Sequence, residues 1–308
     1  MLLAGDVGGT KTHLALFEGT RCVKEQRYFS REFSGLKEIV RDFAPGKVEG
    51  ACFGVAGPVE NNRCQATNLP WVIDAKDFDI EKVWLINDLV ATAWGVESLK
   101  GGELVTLNKG KESLGHRAVM AAGTGLGIAG LFWDGKQHHP FPSEGGHADF
   151  APRDETEKLL WIYLKKKYGH VSYERILSGS GLEHLYWFYL ESGRSHESLG
   201  EEDLPSLITH KAVHGESKAC REIVEWFCSL YGSAAGNLAL QFLPRGGVYI
   251  GGGIAPKIIS ILKEGSFLRS FTEKGRFKEL LSSIPVHVIM NENAALLGAA
   301  IYARRNLF

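Results

Sequence analysis

Apolar and polar positions along this chain show two kinds of pattern, one typical of strands and one typical of helices. Apolar runs at 2–7 and 12–17 flank a glycine-rich turn, and a second pair of runs flanks a similar turn at 123–125. Two apolar runs joined by a short turn that contains glycine predict a β-hairpin. The sequence therefore predicts one kind of hairpin twice, at residues 2–19 and at 118–135.

Strand-like and helix-like segments alternate through the rest of the chain. Helical periodicity predicts helices at 34–43, 89–99, 154–168, 172–190, 216–241 and 291–305, the last capped by Asn291 or Asn293. Short apolar runs predict strands at 50–57, 83–88, 247–254 and 284–290. This alternation is typical of an α/β protein. Small residues at 232–236 predict close contact between the long helix and a neighbour.

The length of the chain favours two domains. Its 308 residues exceed what one small core needs. The polar, glycine-rich segment at 100–115 predicts a hinge, and the second hairpin then begins a second α/β unit.

Composition and charge narrow the function classes. The chain is 44% hydrophobic and 23% charged, as in ordinary soluble globular proteins, and its net charge of −1 gives no electrostatic case for nucleic acid or an anionic membrane. No apolar run is long enough for a membrane span, and no signal-peptide pattern precedes the strand at residue 2. We expect a cytoplasmic protein.

The cysteines support a reducing compartment. There are five, an odd number, with no Cys-x-x-Cys pair: Cys22, Cys52, Cys64, Cys220 and Cys228. Cys220 and Cys228 lie in an apolar helical pattern and are expected in the core. This usage favours neither a disulfide framework nor a zinc site.

Glycine is the outlier in composition, with 37 residues. The two hairpin turns are built by Gly8, Gly9 and Thr10, and by Gly123, Thr124 and Gly125. Bare backbone amides can converge on phosphate oxygens. Either turn alone favours an ordinary tight hairpin, whereas the pair favours a polyphosphate ligand.

Polar residues at strand ends offer further chemistry. Asp6 precedes the first glycine turn and could hold a hydrated Mg²⁺ beside phosphates, or it could cap its own turn. Asn87 and Asp88 end an apolar strand, where α/β sheets bind ligands. Asp88 could accept a hydroxyl proton there, it could cap the following helix, or it could do both if its ionised form accepts one bond from the backbone.

The segment SEGGHADF brings Glu144 and His147 into one compact loop. A carboxylate and an imidazole that face one ligand suit the hydroxyls of a polyol, because each has a fixed bonding direction. They are poor evidence for zinc, since no third ligand follows at zinc spacing. Glu174, by itself, reads as a first-turn acid of a helix.

Gly251, Gly252 and Gly253 follow a strand and could receive the base or ribose of a nucleotide against bare backbone. The segment is not G-x-G-x-x-G, and no G-x-x-x-x-G-K-[ST] occurs in the chain. A Rossmann dehydrogenase is therefore disfavoured and a P-loop NTPase is excluded.

Taken in this order, these segments resemble the sugar kinases of the hexokinase and actin-like ATPase superfamily over nearly the whole chain. GDVGGT resembles the first phosphate loop of that superfamily, AAGTGLG the second, and GVYIGGGI the adenosine loop. LIND, SEGGHADFAP, ERILSGSGL and GGGIAP resemble the bacterial ATP-dependent glucokinases more closely.

The resemblance implies a fold, a reaction and a site. The fold would be two actin-like (ribonuclease H-like) α/β domains around a hinged cleft: 1–98 plus 291–308 as the small domain and 99–290 as the large one. ATP, with Mg²⁺ on its phosphates, would phosphorylate D-glucose to glucose 6-phosphate, as in glycolysis. Asp88 would be the catalytic base, and Asn87, Asp88, Glu144, His147 and Glu174 would bind the sugar.

Some features depart from these relatives. Lys11 stands where close relatives often have Asn, which leaves its role open, and GGTK is common in the repressor/ORF/kinase sugar kinases. Those carry a cysteine-rich zinc motif, which is excluded because no cysteine lies between Cys64 and Cys220. No helix-turn-helix precedes the first strand, which argues against the repressor branch.

Three matters stay open at this point. The substrate could be another hexose or an amino sugar. The chain could also be a non-catalytic sugar- or nucleotide-binding regulator, although Asp88 argues against that. The sequence does not determine the oligomeric state, for which a homodimer is one expectation.

Overall fold

The computed structural model describes residues 1–200 and 203–307. Its strands are β1 (Leu2–Val7), β2 (Lys11–Glu18), β3 (Arg21–Phe29), β4 (Gly50–Val55), β5 (Val59–Glu60), β6 (Arg63–Gln65), β7 (Val72–Asp74), β8 (Val83–Asn87), β9 (Leu104–Asn108), β10 (Arg117–Ala122), β11 (Leu126–Trp133), β12 (His138–Ser143), β13 (Val248–Gly251) and β14 (Val286–Ile289). Its α-helices are α1 (Leu36–Phe43), α2 (Asp88–Val96), α3 (Glu155–Tyr168), α4 (Gly179–Glu191), α5 (Leu204–Val213), α6 (Lys218–Phe242), α7 (Ile259–Leu262), α8 (Ser266–Thr272), α9 (Lys278–Ser282) and α10 (Ala294–Leu307).

The chain divides into two compact units. The first contains Met1–Gly101, Pro140–Pro142 and the chain from Asn291 onwards, and the second contains Gly102–His139 and Ser143–Met290. The small domain expected from the sequence ends at residue 308, which lies outside the described residues.

The first unit is built on a sheet of order β3-β2-β1-β4-β8, in which β1 and β2 form the predicted hairpin. Because side chains alternate between the two faces of a strand, Leu3 packs in the core that includes α1, whereas Leu2 and Ala4 pack with α2 and α10. Asp6 is an even number of residues from Leu2 and Ala4, so its side chain lies on the same face of β1 as theirs. It therefore lies on the sheet face that α2 and α10 cover.

The edge strand β8 is held by a side chain that mimics a neighbouring strand. Asn62 donates from Nδ2 to the Val83 carbonyl at 2.7 Å and accepts from the Leu85 amide at 2.7 Å. These bonds satisfy backbone groups that an edge would otherwise leave open. The end of β8, where Asn87 and Asp88 lie, is thereby fixed.

The second unit is built on a sheet of order β12-β11-β10-β13-β14-β9, with β10 and β11 as the second predicted hairpin. The long helix α6 crosses it, and the buried Tyr231 donates to the Met120 carbonyl at 3.0 Å and accepts from the Ala122 amide at 3.2 Å. The predicted close helix contact is confirmed: a Cβ added to Gly232 would lie 2.0 Å from the Phe267 carbonyl oxygen of α8.

Most predicted elements are confirmed, one predicted helix is wrong, and one strand was not predicted. The segment at 100–115 contains β9, which pairs with β14 because Val105 and Leu107 pack against the core. The predicted helix at 172–190 is a 3₁₀ turn at Tyr173–Arg175 followed by α4, since the Ser178 hydroxyl accepts from the Gly181 amide at 3.0 Å and starts a new helix.

Other expectations hold in the fold. Cys220 and Cys228 are buried in the core of the second unit. Within the described part of the chain, we found no helix both long and apolar enough to cross a membrane.

Candidate active site

The first glycine turn is locked by a serine from outside the hairpin. The Gly8 amide donates to the Lys11 carbonyl at 3.0 Å, which closes the turn. The buried Ser30 hydroxyl donates to the Gly8 carbonyl at 2.8 Å and lies 3.0 Å from the Thr12 hydroxyl. The Ser30 amide donates to the Thr10 carbonyl at 3.0 Å. The turn therefore has a defined shape before any ligand arrives.

A second contact explains why this turn excludes larger residues. A Cβ added to Gly9 would lie 2.6 Å from the Asn68 Cβ. Thr10 and Lys11 are exposed beside it. Sequence reasoning missed Ser30 and Asn68, because neither is part of a local motif and only the fold brings them to the turn.

Asp6 carries an electrostatic signature of a cation site. The pKa of its carboxyl is raised to about 7, chiefly by burial and then by the negative charge of Asp88, while Arg27 opposes the shift. Arg27 is close because Asp6 pairs with His13 across the sheet and His13 pairs with Arg27. Two carboxylates that repel each other fit a hard divalent cation such as Mg²⁺, which prefers carboxylate and water oxygens.

Asn87 and Asp88 divide two tasks at the start of α2. The Asn87 side chain caps the helix, accepting from the Leu89 amide at 2.9 Å and the Val90 amide at 3.3 Å. The alternative in which Asp88 is the cap is therefore wrong, because Asp88 is the first helical residue. Asp88 Oδ1 also accepts from the Leu89 amide at 2.9 Å, which orients its carboxylate.

Asn87 has a further bond that limits its role. Its Nδ2 donates to the Gly57 carbonyl at 3.3 Å, while its Oδ1 serves the helix cap. An amide nitrogen carries two donors. Asn87 thus has one donor beyond this bond for a ligand.

In the second unit, two glycine segments converge at the ends of β10 and β13. The Gly123 amide donates to the Gly125 carbonyl at 2.9 Å, and the Ile254 amide donates to the Ala122 carbonyl at 3.2 Å. Gly252 has φ +82°, and a Cβ there would lie 2.2 Å from the Ala122 carbonyl oxygen. Only glycine meets both demands.

The N-terminus of α4 joins this convergence. The Gly179 amide donates to the Gly123 carbonyl at 2.8 Å, so that the helix begins beside the second glycine turn. Helix N-termini favour anions because their amides lack intrahelical partners. The sequence pattern predicted one longer helix that contained the glycines at 179 and 181. It therefore did not show that a helix begins beside the second glycine turn.

Three of the five side chains expected to bind a sugar, those of Glu144, His147 and Glu174, lie together in the second unit. His147 lies between two carboxylates: its Nε2 is 3.9 Å from Glu144 Oε2, and its Nδ1 is 3.9 Å from Glu174 Oε1. Glu174 Oε2 accepts from the Leu126 amide at 3.0 Å. A Cβ on Gly125 would lie 2.5 Å from that oxygen, so this glycine makes room for the carboxylate.

A buried histidine holds the turn that carries Glu174. His184 Nδ1 contacts the Arg175 carbonyl at 2.7 Å, and the Tyr168 hydroxyl contacts His184 Nε2 at 2.7 Å. Burial lowers the pKa of His184. A neutral ring that donates to Arg175 and accepts from Tyr168 satisfies all these groups. Sequence reasoning did not find this support.

The predicted site residues thus form two groups. Asp6, Asn87, Asp88 and the first glycine turn lie in the first unit; the second turn, the triple glycine and the three sugar candidates lie in the second.

The chain is similar to known proteins over nearly its whole length. A family model described as Glucokinase matches residues 3–306. The glucokinase of Nostoc sp. is 41% identical over 99% of both chains, and that of Psychromonas ingrahamii is 37% identical over 99% of this chain and 97% of the relative.

Solved structures extend the comparison to the fold. A glucokinase from an Antarctic psychrotroph has a TM-score of 0.85 at 31% identity, covering 99% of this chain and 98% of its own. A ROK family glucokinase from Streptomyces griseus, solved with glucose and AMPPNP, has a TM-score of 0.69 at 20% identity, covering 99% of each chain, which shows a shared fold.

Fold and site together define a kinase of the actin-like ATPase class, which confirms the predicted α/β fold class. The chain belongs to the glucokinase family, because the family model and relatives at 37% and 41% identity cover nearly its whole length.

Proposed function

We propose that this chain transfers the γ-phosphoryl group of ATP to D-glucose and gives glucose 6-phosphate, with Asp88 as general base. The observation that carries the proposal is the carboxylate of Asp88, which stands at the end of β8 and raises the pKa of Asp6, next to the first glycine turn. A base beside a phosphate loop suits phosphoryl transfer to a hydroxyl.

In this mechanism Asp88 takes the proton of the primary hydroxyl of the sugar as its oxygen attacks the γ-phosphorus in line. The P–O bond to ADP breaks, and ADP leaves with that electron pair. The bond from the Leu89 amide holds the carboxylate in one orientation. Positioning of this kind supplies much of the rate acceleration in phosphoryl transfer.

Four side chains are proposed to bind the sugar hydroxyls. Glu144 and Glu174 accept from hydroxyls, and His147 between them donates or accepts in a fixed direction. Asn87 contributes the second N–H of its side-chain amide, because the first donates to the Gly57 carbonyl.

Backbone amides of the two Gly-Thr turns are proposed to stabilise charge on the phosphates, and the triple glycine to receive the nucleoside. Asp6 would hold Mg²⁺ directly or through water. When bound, Mg²⁺ supplies positive charge beside the phosphates. The negative charge of Asp88, which disfavours ionisation of Asp6 unless a cation lies between them, supports this assignment.

The reaction requires groups of both units to act on one sugar, since Asp88 belongs to the first and Glu144, His147 and Glu174 to the second. We propose that residues 1–98 with 291–308 close against residues 99–290 around a hinged cleft when sugar binds. Closure would exclude water, which otherwise competes as a nucleophile. A cytoplasmic location and a homodimer remain predictions.

A sugar panel tests the proposal. Release of ADP from MgATP is followed with glucose, mannose, fructose, galactose, glucosamine and N-acetylglucosamine, with Asp88→Asn as the inactive reference. We expect the highest kcat/KM with glucose. A higher kcat/KM for another sugar would reassign the substrate. Absence of turnover with every sugar would indicate a non-catalytic protein that binds sugar or nucleotide.

A further inference from the structure

A pocket outside the candidate active site opens in the second unit. It has a volume of about 420 Å³, and its lining includes Glu112, Ser113, Arg117, Gly246, Tyr249 and His287. Arg117 is the first residue of β10, and Tyr249 lies opposite Val119 on the parallel strand β13. The pocket is therefore built on the central strands of the sheet.

Arg117 forms no ion pair with any residue that the structure describes. Its Nε is buried and has no hydrogen-bond partner. Within residues 1–200 and 203–307, no carboxylate oxygen lies within 4.0 Å of its guanidinium nitrogens. The guanidinium lies 5.7 Å from the centroid of the Tyr249 ring, which fixes its position. A buried donor left unpaired in a native fold points to a missing ion or ligand.

Tyr249 and His287 complete the polar lining. Tyr249 is only 7% exposed, and in the described part of the chain its hydroxyl makes no hydrogen bond. His287 Nδ1 lies 3.0 Å from the Thr106 hydroxyl, and burial and the charge of Arg117 lower the pKa of its ring. Near neutral pH the pocket therefore contains one permanent cation, a free hydroxyl and a neutral imidazole.

We propose that this pocket is a second anion site, which binds a phosphate monoester through the guanidinium of Arg117 and the hydroxyl of Tyr249. A planar guanidinium offers paired donors that match two phosphate oxygens. Glu112, an exposed carboxylate of the lining, would meet the organic part of the ester and weaken the binding of a bare anion.

The pocket is separate from the proposed phosphate turns. Strand β10 runs from Arg117 to Ala122 and then enters the turn at Gly123, and β13 runs from Val248 to Gly251 into the triple glycine. From Arg117 to Gly123 the chain advances along β10 by roughly 20 Å, at about 3.3 Å per residue. The anion site thus lies at the opposite ends of the two strands that carry the glycine segments.

Calorimetry on the full chain tests the proposal. Inorganic phosphate and glucose 6-phosphate are titrated into protein saturated with glucose and AMPPNP, so that the catalytic site is occupied. We expect one further binding event in the wild type. Arg117→Gln should weaken it at least tenfold, and Tyr249→Phe should weaken it several-fold. Binding of the ester alone would show that the sugar part is also recognised.

Two further variants make the test specific. Glu112→Gln should strengthen phosphate binding several-fold, because it removes the opposing charge. Arg245→Gln is the matched control: this exposed arginine lies near the pocket in sequence, and it should leave binding unchanged. Circular dichroism and kcat establish that each variant is folded.

Three results would overturn the proposal. They are the absence of binding of both inorganic phosphate and glucose 6-phosphate in the saturated wild type, binding of equal strength in Arg117→Gln, and weaker binding in Glu112→Gln. If Arg117→Gln fails to fold, the other two variants decide the question, because Glu112→Gln is expected to strengthen phosphate binding and Tyr249→Phe to weaken it.

Discussion

The Glu174 carboxylate accepts a hydrogen bond of 3.0 Å from the amide of Leu126, the residue that follows the second glycine turn. Its other oxygen faces His147 at 3.9 Å. One side chain therefore touches both the proposed sugar pocket and the proposed phosphate turn. A sugar that reorients Glu174 would also change the contact of Glu174 with the second glycine turn. This gives a physical route by which binding of the sugar and binding of ATP can be coupled.

Asp88→Asn should keep glucose binding and lower kcat by about 10²–10⁴, because the amide is nearly isosteric but cannot accept the proton. Steady-state ADP release and calorimetry with glucose measure the two effects. Asp79→Asn, an exposed aspartate of the same unit, is the control and should behave as wild type. A kcat within a few-fold of wild type for Asp88→Asn would show that the base lies elsewhere.

Glu144→Gln and His147→Ala should raise the KM for glucose far more than that for ATP. Each loses a sugar hydrogen bond worth about 1–3 kcal/mol, or roughly 10–100-fold. Glu174→Gln should do the same, since its amide oxygen can still accept from Leu126. Glu174→Ala should raise both KM values, because it also releases the glycine turn.

Substrate-dependence curves at saturating co-substrate separate these cases. Glu155→Gln, an exposed glutamate outside the cluster, is the control. Equal damage to both KM values by Glu144→Gln would place the sugar pocket elsewhere. An unchanged KM for ATP in Glu174→Ala would remove the proposed link to the turn.

The folded state should lose stability as the pH falls below 6.5, in part through His184. Burial lowers the pKa of this histidine from its ordinary value of 6.5, so that the unfolded chain binds a proton that the folded chain does not. Linkage then makes the free energy of unfolding fall with decreasing pH. In His184→Gln, Tm should fall less steeply than in wild type between about pH 7.5 and 5.5.

The exposed His196 serves as the control, and His196→Gln should keep the wild-type slope. Equal slopes for all three proteins would contradict a buried neutral His184.

Removal of divalent cations should abolish turnover, and added Mg²⁺ should restore it, because phosphoryl transfer needs a hard cation on the phosphates. Asp6→Asn should raise the Mg²⁺ concentration required by about tenfold or more. Activity is titrated with free Mg²⁺ after treatment with a chelator. Full activity in the chelator would refute the metal requirement, and an unchanged requirement in Asp6→Asn would refute the role of Asp6.

Glucose should reduce the radius of gyration of the protein in solution. A ligand held by groups from both units binds a closed state more tightly and shifts the population toward it. Small-angle scattering with and without saturating glucose measures the change, and galactose is a control if it does not bind. An unchanged radius, with binding established by calorimetry, would mean that no closure accompanies sugar binding.

The elements that the sequence predicted best are those with the clearest local signal. Both glycine hairpins, the strand ending at Asn87 and the long helix α6 follow from apolar periodicity and from glycine, which act within a few residues. The split of 172–190 was missed because Ser178 starts a new helix inside a continuous apolar pattern. Strand β9 was missed because its pairing with β14 lies far away in sequence.

By itself the sequence determined the α/β class, the two glycine turns and, through motifs, the residues of the candidate site. Only the tertiary structure decided that Asn87 and not Asp88 caps α2, that Ser30 locks the first turn and that Glu174 reaches the second. Among the described residues it also left the Nε atom of Arg117, beside Tyr249, without a hydrogen-bond partner. The physical reason is range: periodicity and turn preferences act between neighbours, whereas hydrogen bonds and charges at a site join residues that only the folded chain brings together.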